Sequence, residues 1–170
     1  MGKQHIGIIA GVARNNIIGN EGGIPWKIKG EQKRFKSLTM HNIVIIGSRT
    51  YISMAKYASS DEEILHGRVK IVVSSHHESI FGKNIMTACS LDDAINKAKS
   101  KYPEKDIYLI GGSRIYQEGM QYADSLYINE IKCEPEGDTV FPWIGPDIWE
   151  KNDIGSDNSA FNCYTYIRKQ

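Results

Sequence analysis

The chain of 170 residues is poor in cysteine, with three, and in proline, with five, and its charges nearly cancel at 21 Lys+Arg against 20 Asp+Glu. Cys89, Cys133 and Cys163 are odd in number, widely spaced and outside any Cys-x-x-Cys arrangement. Neither a disulfide framework nor a zinc site is indicated, no metal is expected, and a reducing, cytoplasmic compartment fits. A formal net charge of +1 offers no general attraction to nucleic acid or to an anionic membrane, which leaves a small molecule as the expected partner. Long apolar runs are missing too: the stretch 6–13 is followed by Arg14 and two asparagines, too short for a signal peptide or a membrane span. No repeat, low-complexity tract or Pro/Ser-rich linker divides the sequence, so residues 1–170 are expected to form one domain.

What is present is ordinary for a globular chain: 41% hydrophobic and 24% charged. A chain of this length buries roughly 70% of its unfolded surface, enough for one core. Short β-rich runs recur at 6–13, 43–46, 69–74, 107–110, 126–131 and 164–167, several apolar at successive positions as strands covered on both faces require. Between them lie helical patterns. Ser90 followed by Asp93 marks a helix start, with Leu91, Ala94, Ile95 and Ala98 at helical spacing. A second helix is expected over about 30–38, and a third from Ser113, with Ile115, Tyr116, Gly119 and Met120 as its inner face. The tail breaks the alternation, with a turn-rich run at 153–162 and a strand at 163–167. The expected fold is therefore α/β: a single-domain, mostly parallel central sheet with an antiparallel C-terminal strand and flanking helices.

On the helix over 30–38, Glu31, Phe35 and Leu38 fall at i, i+4 and i+7, while Gln32, Lys33, Arg34 and Lys36 lie off that line. Two readings stand for Glu31. An acid in a first turn complements the helix macrodipole. Alternatively, half-buried among Ile28, Phe35 and Leu38, its pKa is raised by desolvation, so that it can deliver a proton near neutrality or accept paired N–H groups of a flat heterocycle. Upstream, the glycines of the segment Gly19-Asn20-Glu21-Gly22-Gly23-Ile24-Pro25-Trp26 suit either a closing lid or a plain connection. Gly111-Gly112-Ser113 turns a strand into a helix, where free N–H groups can meet an anion, although the full G-x-G-x-x-G fingerprint is absent. Gly47-Ser48-Arg49-Thr50 and Ser74-Ser75-His76 form similar corners. Each is an ordinary surface loop by itself; together they point to one phosphate-rich cofactor across the carboxyl edge of the sheet. Arg68, after Gly67, could fork onto a carboxylate or serve a structural ion pair.

These residues carry a resemblance. Ala10-Gly11, Ile18-Gly19-Asn20, Ile24-Pro25-Trp26, Glu31 with Phe35-Lys36, the Gly47, Gly67-Arg68, Ser74-Ser75 and Ile110–Tyr116 segments, and Glu136-Gly137-Asp138-Thr139 with Phe141-Pro142 occur in the order and spacing of dihydrofolate reductases over nearly the whole chain. The chain resembles that family, and the stretch 24–32 is similar to mobile-element members associated with trimethoprim insensitivity. The resemblance implies NADPH-dependent reduction of 7,8-dihydrofolate to tetrahydrofolate, with hydride to C6 and a proton to N5, in one-carbon metabolism and thymidylate supply. It implies that Glu31 holds the pterin and assists protonation through a water ordered by Trp26, under a loop from Gly19 to Ile24. Ile9, Phe35, Met54 and Ile110 would wall the substrate and Arg68 would clamp its glutamate. Ala10, Ile18, Gly19, Gly47, Ser48, Arg49, Thr50, Ser74, Ser75, His76, Gly111, Gly112, Ser113, Arg114, Ile115 and Tyr116 would contact NADPH, with Tyr116 beside the nicotinamide. Antifolates such as trimethoprim and methotrexate are the inhibitors it implies.

Two positions depart from the family pattern. Ser48 stands where a cation usually meets the cofactor's 2′-phosphate, so the choice of NADPH falls to Ser74, Ser75, His76 and Arg49. Asn129 stands where a Thr usually pairs with the catalytic acid; an amide can still donate, with a length and flip state of its own. A reductase of another pterin or pyrimidine ring, or a nucleotide-binding module without turnover, is the alternative that a shared fold leaves open.

Overall fold

The computed structural model describes residues 4–19, 31–56, 64–75, 85–155 and 159–170, without the Glu31 side chain. In chain order the elements are β1 (Ile6–Ala13), β2 (Ile17–Gly19), α1 (Glu31–Thr39), β3 (Ile43–Gly47), α2 (Ser48–Ala55), β4 (Val69–Val73), β5 (Met86–Ala88), α3 (Leu91–Lys101), β6 (Ile107–Leu109), α4 (Ser113–Gly119), β7 (Ser125–Ile131), β8 (Thr139–Val140), β9 (Trp149–Gly155) and β10 (Phe161–Arg168). Eight of the strands form one sheet in the order β5-β4-β3-β6-β1-β7-β10-β9, and β2 pairs with β8 in a small second sheet. From β5 to β7 the pairing is parallel; β10 runs antiparallel to β7 and to β9.

The continuous apolar runs have their explanation in two cores, one on each face. Side chains alternate across a strand, so Ile8, Ile43, Ile45, Ile71, Ile107 and Leu109 meet α3 and α4 through Leu91, Ala94, Ile95 and Ile115. Their neighbours Ile9, Val44, Ile46, Val72, Tyr108 and Ile110 lie in the other core, with Phe35 and Leu38 of α1 and Tyr51 and Met54 of α2. The start of α3 is reciprocally capped: Ser90 accepts from the Asp93 N–H at 3.0 Å, and the Asp93 carboxylate accepts from the Cys89 N–H at 3.1 Å.

The expected antiparallel C-terminal strand is present as β10, but the tail holds a second one, β9, inside what read as the approach to a turn. Only Trp149 of β9 is buried; Glu150, Lys151, Asp153 and Ile154 are exposed. A sheet edge defended by charge carries no apolar alternation to read.

Candidate active site

Two strand-to-helix corners stand side by side at the carboxyl edge of the sheet. β3 ends at Gly47, which caps α2 in extended conformation (φ −69°, ψ 150°), and Gly112 caps α4; neither helix start has a side-chain cap. Helix starts leave N–H groups without intrahelical partners. The Gly47 N–H donates to the Gly111 carbonyl at 2.8 Å, tying the corners together. Gly111 has φ +115°, where a side chain would be strained. A Cβ on Gly112 would lie 2.7 Å from Thr50 Oγ1, and one on Gly47 would lie 3.6 Å from the Gly112 nitrogen. The Gly47–Gly111 bond and the close approach at Gly112 keep two helix starts side by side, an arrangement that suits a pyrophosphate.

Around this edge, Ser48 and Thr50 are partly buried and Arg49 is exposed. Past β4, Ser74 donates its N–H to the Ala88 carbonyl at 2.9 Å, and Ser75 is exposed. Ile115 is buried in the core, so only its backbone is available to a ligand. The Arg114 guanidinium is turned along its own helix to Glu118, 3.1 Å away, with an exposed side chain. Tyr116 is buried, and its hydroxyl lies 2.9 Å from the Ile9 carbonyl and 3.0 Å from that of Ile110, donating between β1 and the end of β6. Ala10 is buried, Ile18 packs on the core, and the Gly19 carbonyl accepts from the Asp138 N–H at 3.1 Å.

The opposite wall is α1. Ile9 and Ile110 belong to the core beneath it, and Phe35, Leu38 and Met54 pack against that core while staying partly accessible. At the C-terminal end of α1, the Arg68 guanidinium lies 5.8 Å from the Phe35 ring centroid. It donates from Nη1 to Thr39 Oγ1 at 3.1 Å and from Nε to the His66 carbonyl at 3.1 Å. Burial holds the Arg68 pKa below its ordinary value, so an incoming carboxylate would find a partly desolvated cation already aimed by two hydrogen bonds. Glu31 opens α1 at the other end.

Asn129 is buried in β7, in register with Gly11 of β1 and Cys163 of β10. Its Oδ1 accepts from Arg34 Nη1 at 3.3 Å and from Cys163 Sγ at 3.2 Å. Arg34 was expected off the inner line of the helix, yet it reaches the sheet: Nη2 donates to Thr165 Oγ1 at 3.0 Å and the guanidinium lies 5.6 Å from the Tyr127 ring centroid. The sequence signal was its i+3 spacing from Glu31, which places both on neighbouring positions of one helix surface. Trp26, His76, the segment 20–30 and the Glu31 side chain lie outside the described residues, so α1, the glycine corners, Arg68 and Asn129 are what the fold brings together here.

The family model for dihydrofolate reductase matches residues 5–168. The dihydrofolate reductase of Buchnera aphidicola subsp. Schizaphis graminum is 34% identical, with 96% of this chain and 99% of the relative covered. The Escherichia coli dihydrofolate reductase type 15 is 32% identical over 82% of each chain. Among solved structures, dihydrofolate reductase from Enterococcus faecalis, complexed with NADP(H) and RAB-propyl, superposes with a TM-score of 0.79 at 28% identity, over 98% of this chain and 97% of that one. With its parallel sheet, its paired glycine corners and a match running through nearly all of its length, the chain belongs to the dihydrofolate reductase family.

Proposed function

We propose that this chain is a single-domain, monomeric, cytoplasmic enzyme that reduces 7,8-dihydrofolate to 5,6,7,8-tetrahydrofolate with NADPH. The observation that carries this reading is the apolar cluster of Ile9 and Ile110 with the partly accessible Phe35 and Met54 packed on it, with Arg68 at the Phe35 ring, beside a backbone cradle at the sheet edge. The cradle fits a dinucleotide: a Cβ on Gly112 would collide with Thr50, and two uncapped helix starts offer N–H groups for phosphate. Gly47, Ser48, Arg49 and Thr50 would hold one side of the cofactor and Gly111 to Tyr116 the other, with Ser74, Ser75 and His76 toward a 2′-phosphate. Bound NADPH supplies the hydride.

The chain's own residues supply the rest. Ile9, Phe35, Met54 and Ile110 exclude water from the faces of the pterin and its benzoyl ring, and Arg68 anchors the glutamate carboxylate. Glu31 pairs with the ring's N–H groups and, through a water ordered by Trp26, delivers the proton that N5 takes up. Methotrexate would compete for the same site, while the resemblance of the stretch 24–32 to mobile-element members supports weaker inhibition by trimethoprim.

The test is turnover followed by absorbance with NADPH and dihydrofolate, for the wild type and Glu31→Gln. The variant is expected to lose about two or more powers of ten at pH 7, the usual scale of general acid catalysis, and to regain rate at low pH as the substrate arrives protonated. No cofactor oxidation by the wild type above the blank would remove the enzyme reading, and a near-wild-type rate for the variant would remove the acid.

A further inference from the structure

We infer that the amino edge of the sheet, opposite the glycine cradle, carries a second small-molecule site, a cleft that takes a flat aromatic ring bearing a carboxylate. The cleft has a volume of about 440 Å³, within the range of about 300–1,000 Å³ usual for small-ligand pockets. Its walls come from three parts of the chain: Met120 just past α4, the loop with Trp143, Asp147 and Ile148, and the strand ends with Trp149 of β9 and Arg168 of β10. β10 ends beside the start of β7, and α4 opens at the cradle with Gly112 and ends at this cleft. The two sites thus lie at opposite ends of one helix and share no residue.

Trp143 is 81% exposed, yet its loop is anchored on both sides: Phe141 and Trp149 are buried, and Ile144 packs on the core. The turn after it is closed by the Ile148 and Trp149 N–H groups, which donate to the Gly145 carbonyl at 3.1 and 2.9 Å. Lys169 ties the same turn to the end of the chain, its Nζ donating to the Pro146 carbonyl at 2.7 Å. A fixed loop therefore holds the indole out in water, with a large apolar face that a stacked ring would cover. The polar anchor is Arg168, partly buried and 4.5 Å from the Trp149 ring centroid. Its Nε donates to the Ala123 carbonyl at 3.0 Å and its Nη2 to the Met120 carbonyl. Among the described residues Nη1 has no partner, so one prong of a braced guanidinium remains for an anion. Gly145 lines the cleft between loop and strands, and a Cβ there would stand 2.8 Å from Asp147 Oδ1 and 3.4 Å from Trp143 Nε1. A larger side chain would fill the space beside the indole. The charged groups at the cleft are Arg168, Asp147 and, beside it, Lys169. Asp147 is exposed, where water and salt screen it; the partly desolvated guanidinium attracts more strongly, which sets the ligand's charge as negative.

The probe is 2-naphthoate, with 2-naphthamide and 2-naphthylmethylamine as its neutral and cationic counterparts, titrated into the full chain by calorimetry and by the NMR signals of the indole N–H groups. 2-Naphthoate is expected to bind with a Kd of about 0.1–1 mM, the scale for a ligand of this size, and to move the indole signal that is missing from Trp143→Ala. The same affinity is expected with NADPH and methotrexate both present. Trp143→Ala, a change at an exposed position, is expected to weaken binding about tenfold by removing the stacking face, and Gly145→Val to weaken it at least as much by filling the cleft. The amide is expected to bind about tenfold less tightly than the carboxylate, and the amine less tightly still. Failure of 2-naphthoate to bind, an unmoved Trp143 signal, or full affinity in Trp143→Ala overturns the proposal. So does loss of binding when NADPH and methotrexate are added, which would put the probe in the reductase site. Equal binding of the amide, or tighter binding of the amine, overturns it as well, because Arg168 would then not be the group that reads the ligand.

Discussion

Under α1, two tyrosines occupy space that a glycine leaves. The Tyr108 and Tyr127 rings lie 6.1 Å apart between centroids, and a Cβ on Gly7 would come within 2.8 Å of the Tyr127 ring. Burial pushes the Tyr108 hydroxyl up to about 12, with the neighbouring Tyr127 and Asp106 adding to it. The fold favours the neutral phenol, whereas the unfolded chain ionises near 10. This contribution to stability is therefore complete below pH 10 and is lost as pH rises toward 12. Urea midpoints across that range are expected to fall less steeply for Tyr108→Phe than for the wild type; parallel curves would show that Tyr108 is not the group responsible. Arg68 is the other residue whose environment makes a claim. As a carboxylate clamp, Arg68→Leu should raise KM for dihydrofolate far more than for a pterin without the glutamate tail. Equal increases for the two substrates would reduce its bonds to Thr39 and His66 to a structural role.

At the scale of elements, α4 shows how closely the helices sit on the sheet. Gly119, in its last turn, faces Leu109 of β6 and Ile8 of β1, and a Cβ there would stand 2.5 Å from Leu109 Cδ1. Alanine gains up to about 1 kcal/mol in helix propensity, but Leu109 is fully buried, and overpacking a filled core costs typically about 1–3 kcal/mol. Gly119→Ala is expected to lower stability by about 1–2 kcal/mol in equilibrium urea unfolding; a stabilised variant would mean that Leu109 has room to move. The same packing explains which elements could be read in the sequence. β1, β3 and β6 lie in the middle of the sheet between two cores, so burial wrote unbroken apolar runs, and α3 carries its cap and inner stripe in consecutive residues. β9 lies at the edge and left no such pattern. The Gly111-Gly112 corner was legible because a side chain is excluded there. Arg34 was legible only as the i+3 neighbour of Glu31, since its contacts lie on β7 and β10, and a pattern along one helix cannot report partners so distant in the chain.

Across the whole molecule, the residues proposed for the cofactor come from separated segments that meet only in the folded chain: the ends of β3, β4 and β6 and the starts of α2 and α4. An unfolded chain presents no such cradle, so NADPH should bind the folded state alone and stabilise it by mass action, about 2.7 kcal/mol at a hundred times its Kd. For a chain of 170 residues, each kcal/mol raises Tm by about 2–4 °C, which makes the expected rise about 5–10 °C. NADH separates the contribution of the extra phosphate. With serine at 48 in place of the family's usual cation, the phosphate would be left to Ser74, Ser75, His76 and the exposed Arg49, partners that add less attraction than a further fixed cation would. The expected order is NADPH above NADH by only a few degrees, and Ser48→Arg should widen that gap by strengthening NADPH alone. Thermal unfolding with each nucleotide in turn checks this: equal shifts for both would show that the phosphate is unread, and no shift with either would remove the cradle's assignment as a dinucleotide site.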